Sequence, residues 1–214
     1  MAGTRTIELV LFDMDDVLCA YDRPLRIARL AQRCGRTAEA VERAIWDSGF
    51  EQAADSGAFT PRNYLRGFGE RLGYPLTLDE WLADRRAAMT PNPAMLDLVR
   101  RLRGAAALAL LTNNTALVAD HLDVLFPELL PLFGRHVYVS ARLHAAKPEV
   151  ACYRRCLDAL GVRPEAALFV DDLAENVAGA RKAGLAAHRF RSPAGLERAL
   201  ARRGIVPASA GADG

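Results

Sequence analysis

The stretch "ELVLFDMDDVLCAYD", Glu8 to Asp22, decides the fold. An apolar run, Ile7–Phe12, stops at three acids in four positions, Asp13, Asp15 and Asp16. A short apolar run without polar alternation is the pattern of a strand covered on both faces of a parallel sheet. Asp13 and Asp15 are two residues apart, so they project to the same side at the strand's carboxyl end. In open α/β sheets ligands bind at that end. Carboxylates crowded in this way repel one another and bury poorly unless something compensates them.

Four more short apolar runs read as strands: Ala106–Leu111, Arg135–Val139, Ala167–Val170 and Ala186–Phe190. Helical patterns lie between them at Thr115–Phe126, Pro148–Leu160 and Ala174–Ala183. This alternation implies βαβ units and a doubly wound α/β domain with a parallel sheet. From Val17 to Met89 no strand is evident. Pro24–Cys34 ends before Gly35, Ala38–Ser48 follows Thr37, and further helices begin at Thr60-Pro61 and at Thr77. That interval is expected to form a small all-helical lobe inserted after the first strand. The expected organisation is a discontinuous core, residues 1–16 and 90–205, a helical cap, 17–89, and a small, polar, disordered tail, 206–214.

Composition narrows the function. Half the 214 residues are apolar and a quarter charged, with a net charge of +2 and the signs well mixed. Neither a nucleic-acid groove nor an anionic membrane surface is implied. The longest apolar run, Ala105–Leu111, is too short to span a membrane. With no secretory signal pattern, the expected location is cytoplasmic. Cys19, Cys34, Cys152 and Cys156 read as buried, reduced thiols.

Three features at strand ends answer the acids. The second core strand finishes in Thr112, Asn113 and Asn114, a hydroxyl and amides suited to a tetrahedral oxyanion. Lys147, before Pro148, can bring an ammonium to the sheet edge. The fourth core strand ends in Asp171-Asp172, with Asn176 one turn on. Each feature alone has an ordinary reading as a turn or helix cap. Together they form an oxygen-rich cluster with one lysine, which suits a hard cation such as Mg²⁺ with a phosphate, and no histidine or cysteine set that would suit zinc.

On these residues the sequence resembles the haloacid dehalogenase-like hydrolase superfamily. Asp13-Met14-Asp15 matches its first motif, Thr112 the second, Lys147-Pro148 the third and Asp171-Asp172 the fourth. Residues 17–89 sit where one subgroup, which includes sugar-phosphate phosphatases, carries a small helical cap. One departure stands out: Asp16 occupies a position where many members have Gly.

The resemblance implies a Mg²⁺-dependent phosphatase acting on a small phosphorylated metabolite through an aspartyl-phosphate, as a monomer or homodimer. Asp13 would be the nucleophile and Asp15 the general acid and base. Asp13, the Asp15 backbone carbonyl, Asp171 (directly or through water) and Asp172 would hold the metal. Thr112, Asn113 and Lys147 would bind phosphate oxygens. In the cap, Arg23 and Arg26 are candidate anion contacts, while Trp46 and Phe50 read as core. Three alternatives remain at this point: phosphoryl transfer of the phosphoglucomutase type, a haloacid dehalogenase, and a non-catalytic binding module. Asp15 with Asp171-Asp172 counts against the dehalogenase, which needs no metal cluster.

Overall fold

A computed structural model of the protein describes residues 6–209. In chain order the elements are β1 (Leu9–Phe12), β2 (Cys19–Tyr21), α1 (Arg23–Cys34), α2 (Ala38–Glu42), α3 (Phe50–Asp55), α4 (Pro61–Leu72), α5 (Leu78–Ala87) and β3 (Met89–Pro91). Then come α6 (Pro93–Arg101), β4 (Ala107–Thr112), α7 (Ala116–Asp120), α8 (Leu122–Leu125), α9 (Leu129–Phe133) and β5 (Val137–Val139). The chain continues with α10 (Ser140–Leu143), α11 (Val150–Leu160), β6 (Ala167–Asp171), α12 (Ala174–Lys182), β7 (Ala186–Arg189) and α13 (Pro193–Ala201).

Five strands form one parallel sheet in the order β5-β4-β1-β6-β7, so the expected doubly wound α/β core is present. Along β1 the side chains alternate between two apolar layers. Val10 and Phe12 pack with Met95, Leu98 and Val99 of α6 and Leu196 and Leu200 of α13. Leu9 and Leu11 face Cys152, Tyr153, Cys156 and Leu157 of α11 and Val177 and Ala180 of α12. This period of two, with both layers filled, is why the strand reads as a continuous apolar run. All four cysteines are free; Cys19, Cys152 and Cys156 are buried as expected, the last two in the second layer, whereas Cys34 at the end of α1 is only half-buried.

Between Cys19 and Pro91 the structure corrects the strand-free reading. β2 and β3 pair antiparallel, Cys19 with Pro91 and Tyr21 with Met89, and close the base of the helical insert α1–α5. Each strand has only three residues, too few to show an alternation. Within the insert, Thr60 and Thr77 cap their helices, Thr77 in a reciprocal capping box with Glu80. The Ala38–Ser48 pattern divides into α2 and a π-helical turn, Arg43–Asp47. Thr115–Phe126 likewise breaks at His121 into α7 and α8.

The described part of the tail, residues 206–209, has no regular secondary structure. Ala208 donates its N–H to the Arg101 carbonyl (2.9 Å) and accepts from the Arg101 guanidinium (3.3 Å), which ties it to α6. Residues 210–214 of the expected tail lie outside the described residues. No helix of the described residues is long and apolar enough to cross a membrane.

Candidate active site

Because β1 lies between β4 and β6, the carboxyl ends of three neighbouring strands share one edge. Thr112 and Asp171 are the last residues of β4 and β6, and Asp13 follows β1 directly, its N–H bonded to the Val170 carbonyl at 2.9 Å. A cavity of about 720 Å³ opens there, lined among others by Asp13, Asp15, Thr112, Asn113, Lys147 and Asp172. Asp171 is fully buried behind them.

Lys147 holds the centre. Its Nζ lies 2.6 Å from Asp13 Oδ1 and 2.8 Å from Asp171 Oδ2, with all three residues buried. Its backbone is clamped twice by the Asn113 side chain, whose Nδ2 donates to the Lys147 carbonyl while its Oδ1 accepts the Lys147 N–H, both at 2.8 Å. Asn113 therefore commits its amide oxygen and one amide hydrogen to the Lys147 backbone, and its backbone N–H and second amide hydrogen remain as donors. Burial works against the Lys147 charge, but Asp13 and Asp171 outweigh it and its pKa shifts upward. Two buried carboxylates thus share one ammonium. Burial above all drives the Asp13 pKa well up, Lys147 opposes that, and Asp171 adds to it.

Asp171 is saturated: the Leu173 N–H (2.8 Å), the Asn176 amide (3.1 Å) and Lys147 occupy both its oxygens. Asp172 is different. It is half-buried, and its carboxylate takes no hydrogen bond from another residue among the described ones. Its pKa rises through burial and the neighbouring Asp171 charge. Asp13, Asp171 and Asp172 each present an oxygen, all within 4.8 Å of one another. An all-oxygen set with a net negative charge fits a hard divalent cation, and Asp13 and Asp172 have the freer lone pairs.

Asp15 stands apart from that triad. Its Oδ2 accepts from Arg85 Nη2 at 3.0 Å and from Asn114 Nδ2 at 3.3 Å. Asn114 Nδ2 also donates to Thr112 Oγ1 at 2.8 Å, which leaves the threonine hydroxyl hydrogen to donate elsewhere. Neither Arg85 nor this bridging role of Asn114 was visible in the sequence. Arg85 is one of two successive arginines at a helix end, a position that ordinarily means a solvated, dipole-matched charge.

From the insert, Arg23, Trp46, Asp47, Glu51 and Asp55 also line the cavity. Trp46, expected as core, does pack on it, edge-on to Phe68 at 6.5 Å, but is only half-buried and also forms part of the cavity wall, whereas Phe50 is fully core and stacks on Tyr64 at 5.4 Å. Arg26, expected as a possible anion contact, is instead boxed by the rings of Trp46, Phe68 and Trp81, 5.0–5.7 Å from its guanidinium carbon. Its Nη1 donates to the Tyr21 hydroxyl at 3.0 Å.

Asp16 adopts φ +59°, a left-handed conformation that favours glycine, and its Oδ1 accepts the Tyr21 N–H at 3.2 Å. Aspartate tolerates that conformation better than most side chains and a β-branched residue does not. Asp16→Gly should therefore change stability by less than about 1 kcal/mol, while Asp16→Val should cost about 1–2 kcal/mol, as read by urea titration. A second test concerns α12. A Cβ on Gly179 would lie 2.3 Å from the Pro148 carbonyl oxygen, so Gly179→Ala must move the turn that carries Lys147. The expected result is a loss of about 1–3 kcal/mol in stability with a fall in turnover, measured by melting and steady-state kinetics.

Comparisons with known proteins agree with this geometry. "Phosphatase MT3486" of Mycobacterium tuberculosis (strain CDC 1551 / Oshkosh) is 28% identical over 198 residues, covering 86% of this chain and 87% of its own. The HAD family enzyme bt-2542 of Bacteroides thetaiotaomicron, solved with magnesium and inorganic phosphate, superposes with a TM-score of 0.72 at 20% identity, over 86% of this chain and 94% of that one. L-2-haloacid dehalogenase of Xanthobacter autotrophicus, with chloropropionic acid covalently bound, gives 0.62 at 22% identity, over 94% and 85%. At such identities the two structures speak for the fold alone. The haloacid dehalogenase-like hydrolase family model matches residues 7–184, and with the strand-end acids, the threonine and the lysine at one sheet edge, the chain belongs to that hydrolase family.

Proposed function

We propose that the protein is a magnesium-dependent phosphatase that hydrolyses a small phosphate monoester, a sugar phosphate or similar metabolite, through an acyl phosphate on Asp13. The observation that carries this reading is the buried grouping of Asp13, Lys147 and Asp171 beside the open carboxylate of Asp172. A relative named a phosphatase and a fold neighbour solved with magnesium and phosphate support it.

Asp13, Asp172 and the Asp15 backbone carbonyl would hold the cation, with Asp171 behind them as the counter-ion of Lys147. When bound, Mg²⁺ supplies charge neutralisation between the phosphate and the attacking carboxylate. The Asp13 carboxylate attacks phosphorus, the bond to the leaving oxygen breaks, and Asp15 delivers a proton to that oxygen. Asp15 then takes a proton from water as the water attacks the acyl phosphate, releasing inorganic phosphate and restoring Asp13. A positioned acid and base of this kind contributes ~10²–10⁴ in rate. Lys147, the Thr112 hydroxyl and the Asn113 backbone N–H hold the phosphate oxygens. The helical insert acts as the cap, excluding bulk water and reading the leaving group through its wall of Arg23, Trp46, Asp47, Glu51 and Asp55.

The test is inorganic phosphate release from a panel of phosphorylated sugars, nucleotides and small acids, with Mg²⁺ and with a chelator. Release that stops on chelation is the expected result. No release from any ester, with Mg²⁺ present, would overturn the reading and favour phosphoryl transfer between sugars.

A further inference from the structure

We propose that Arg85 is the positioning residue of the leaving-group step: its guanidinium holds the Asp15 carboxylate where the departing oxygen must be met. The proposal rests on the phosphatase reading given above. Asp15 sits in the turn after β1, and its carboxylate has few contacts of its own. Beyond Arg85 at 3.0 Å it has the Asn114 amide at 3.3 Å and a Cys19 thiol contact at 3.6 Å. Arg85 is the charged contact among the three and comes from the far end of the helical insert, seventy residues along the chain.

The arginine itself is held firmly. Its guanidinium carbon stacks 4.5 Å from the centre of the Tyr21 ring, and its side chain is 6% exposed. The helix that carries it is anchored by the buried Asp84, which accepts from Arg29 Nε and Arg33 Nε at 2.9 Å each. The contact is a single one, Nη2 to Oδ2, but it comes from a planar guanidinium held against the Tyr21 ring, which fixes the donor's position as a flexible ammonium would not.

A plain staple between insert and core is the competing explanation, and the position of Arg85 opposes it. Arg85 lines the active-site cavity rather than a sealed interface. The ion pair also makes the chemistry conditional on the insert. With the insert displaced, Asp15 loses the group that aims it.

The test is the dependence of kcat/KM on the leaving group. This ratio reports the steps up to departure of the alcohol, so it is blind to later hydrolysis of the acyl phosphate. An alkyl phosphate such as β-glycerophosphate needs a proton on its leaving oxygen, whereas p-nitrophenyl phosphate departs readily without one. Arg85→Ala is expected to lower kcat/KM on the alkyl ester by ~10²-fold, the loss typical of a misplaced catalytic group. On the aryl ester the expected loss is below about fivefold, because the proton adds little there. Arg85→Lys should fall between wild type and Arg85→Ala on the alkyl ester, and it serves as the test variant should Arg85→Ala fail to fold. Asp15→Asn must show the same selectivity.

Selective loss in both the Arg85 variant and Asp15→Asn supports the proposal. Selective loss in Asp15→Asn alone, with the Arg85 variant equally active or equally impaired on both esters, overturns it. If neither is selective, the acid role of Asp15 fails and the proposal falls with it. Metal-dependent phosphate release by the wild type would still stand, so the two failures are distinguishable.

Discussion

Asp13→Asn is expected to reduce phosphate release by ~10⁴–10⁶-fold, the range seen when a covalent nucleophile is removed. The amide keeps the shape of the carboxylate but cannot attack phosphorus. Stability should move the other way. Two buried carboxylates share the single Lys147 ammonium, and the Asp13 pKa is pushed well above the ordinary carboxylate value. A group whose folded pKa is raised stabilises the fold only while it is protonated. That contribution is present below its unfolded pKa and is lost as pH rises through the folded value. Metal-free wild type should therefore lose stability as pH rises above the ordinary carboxylate range, and Asp13→Asn should lack that component of the loss. Near neutral pH the metal-free variant should melt no lower than wild type, and the order should reverse with Mg²⁺. Thermal melts across pH, with and without Mg²⁺, check both signs. A variant that is inactive because it is unfolded would contradict this account.

Lys147→Met carries the second large effect. It leaves Asp13 and Asp171 buried without their ammonium, and removing one partner of a buried pair costs about 3–5 kcal/mol. Loss of a phosphate-oxygen donor should also lower kcat by ~10²–10³-fold. The destabilisation should be smaller with Mg²⁺ present, because the cation would neutralise Asp13 in the lysine's place. Urea titrations with and without Mg²⁺ measure that difference. Unchanged stability in metal-free buffer would show that Lys147 does not balance the acids.

How much of this was legible in the sequence depended on the range of the contacts involved. The five core strands showed themselves because β1 and β6 are buried on both faces and read as unbroken apolar runs. Their parallel arrangement then brings Thr112, Asp13 and Asp171 to one edge without any further information. The β2–β3 ribbon was hidden for the opposite reason. It pairs two three-residue segments some seventy positions apart, and its middle residues, Ala20 and Thr90, are exposed.

The site divides in the same way. Lys147 was visible through its neighbour Pro148 and its place in the motif order, but the Asn113 clamp that aims it was not, because an amide can serve a ligand or a backbone equally well. Arg85 and the wall residue Trp46 depend on how the insert packs on the core, which no local pattern encodes. Arg26 gives the counter-example: its position beside the first loop pointed to an anion, and the aromatic box around it was invisible from its neighbours in sequence.

The central claim is that Asp13 carries the phosphoryl group, and trapping that intermediate tests it most directly. The enzyme, turning over its best substrate with Mg²⁺, would be quenched into borohydride, which reduces an acyl phosphate to the alcohol. Mass spectrometry of the peptide spanning Asp13 should then find homoserine at position 13, and only in samples that received both substrate and metal. An unmodified Asp13 peptide during sustained turnover, or reduction at a different carboxylate, would contradict the account.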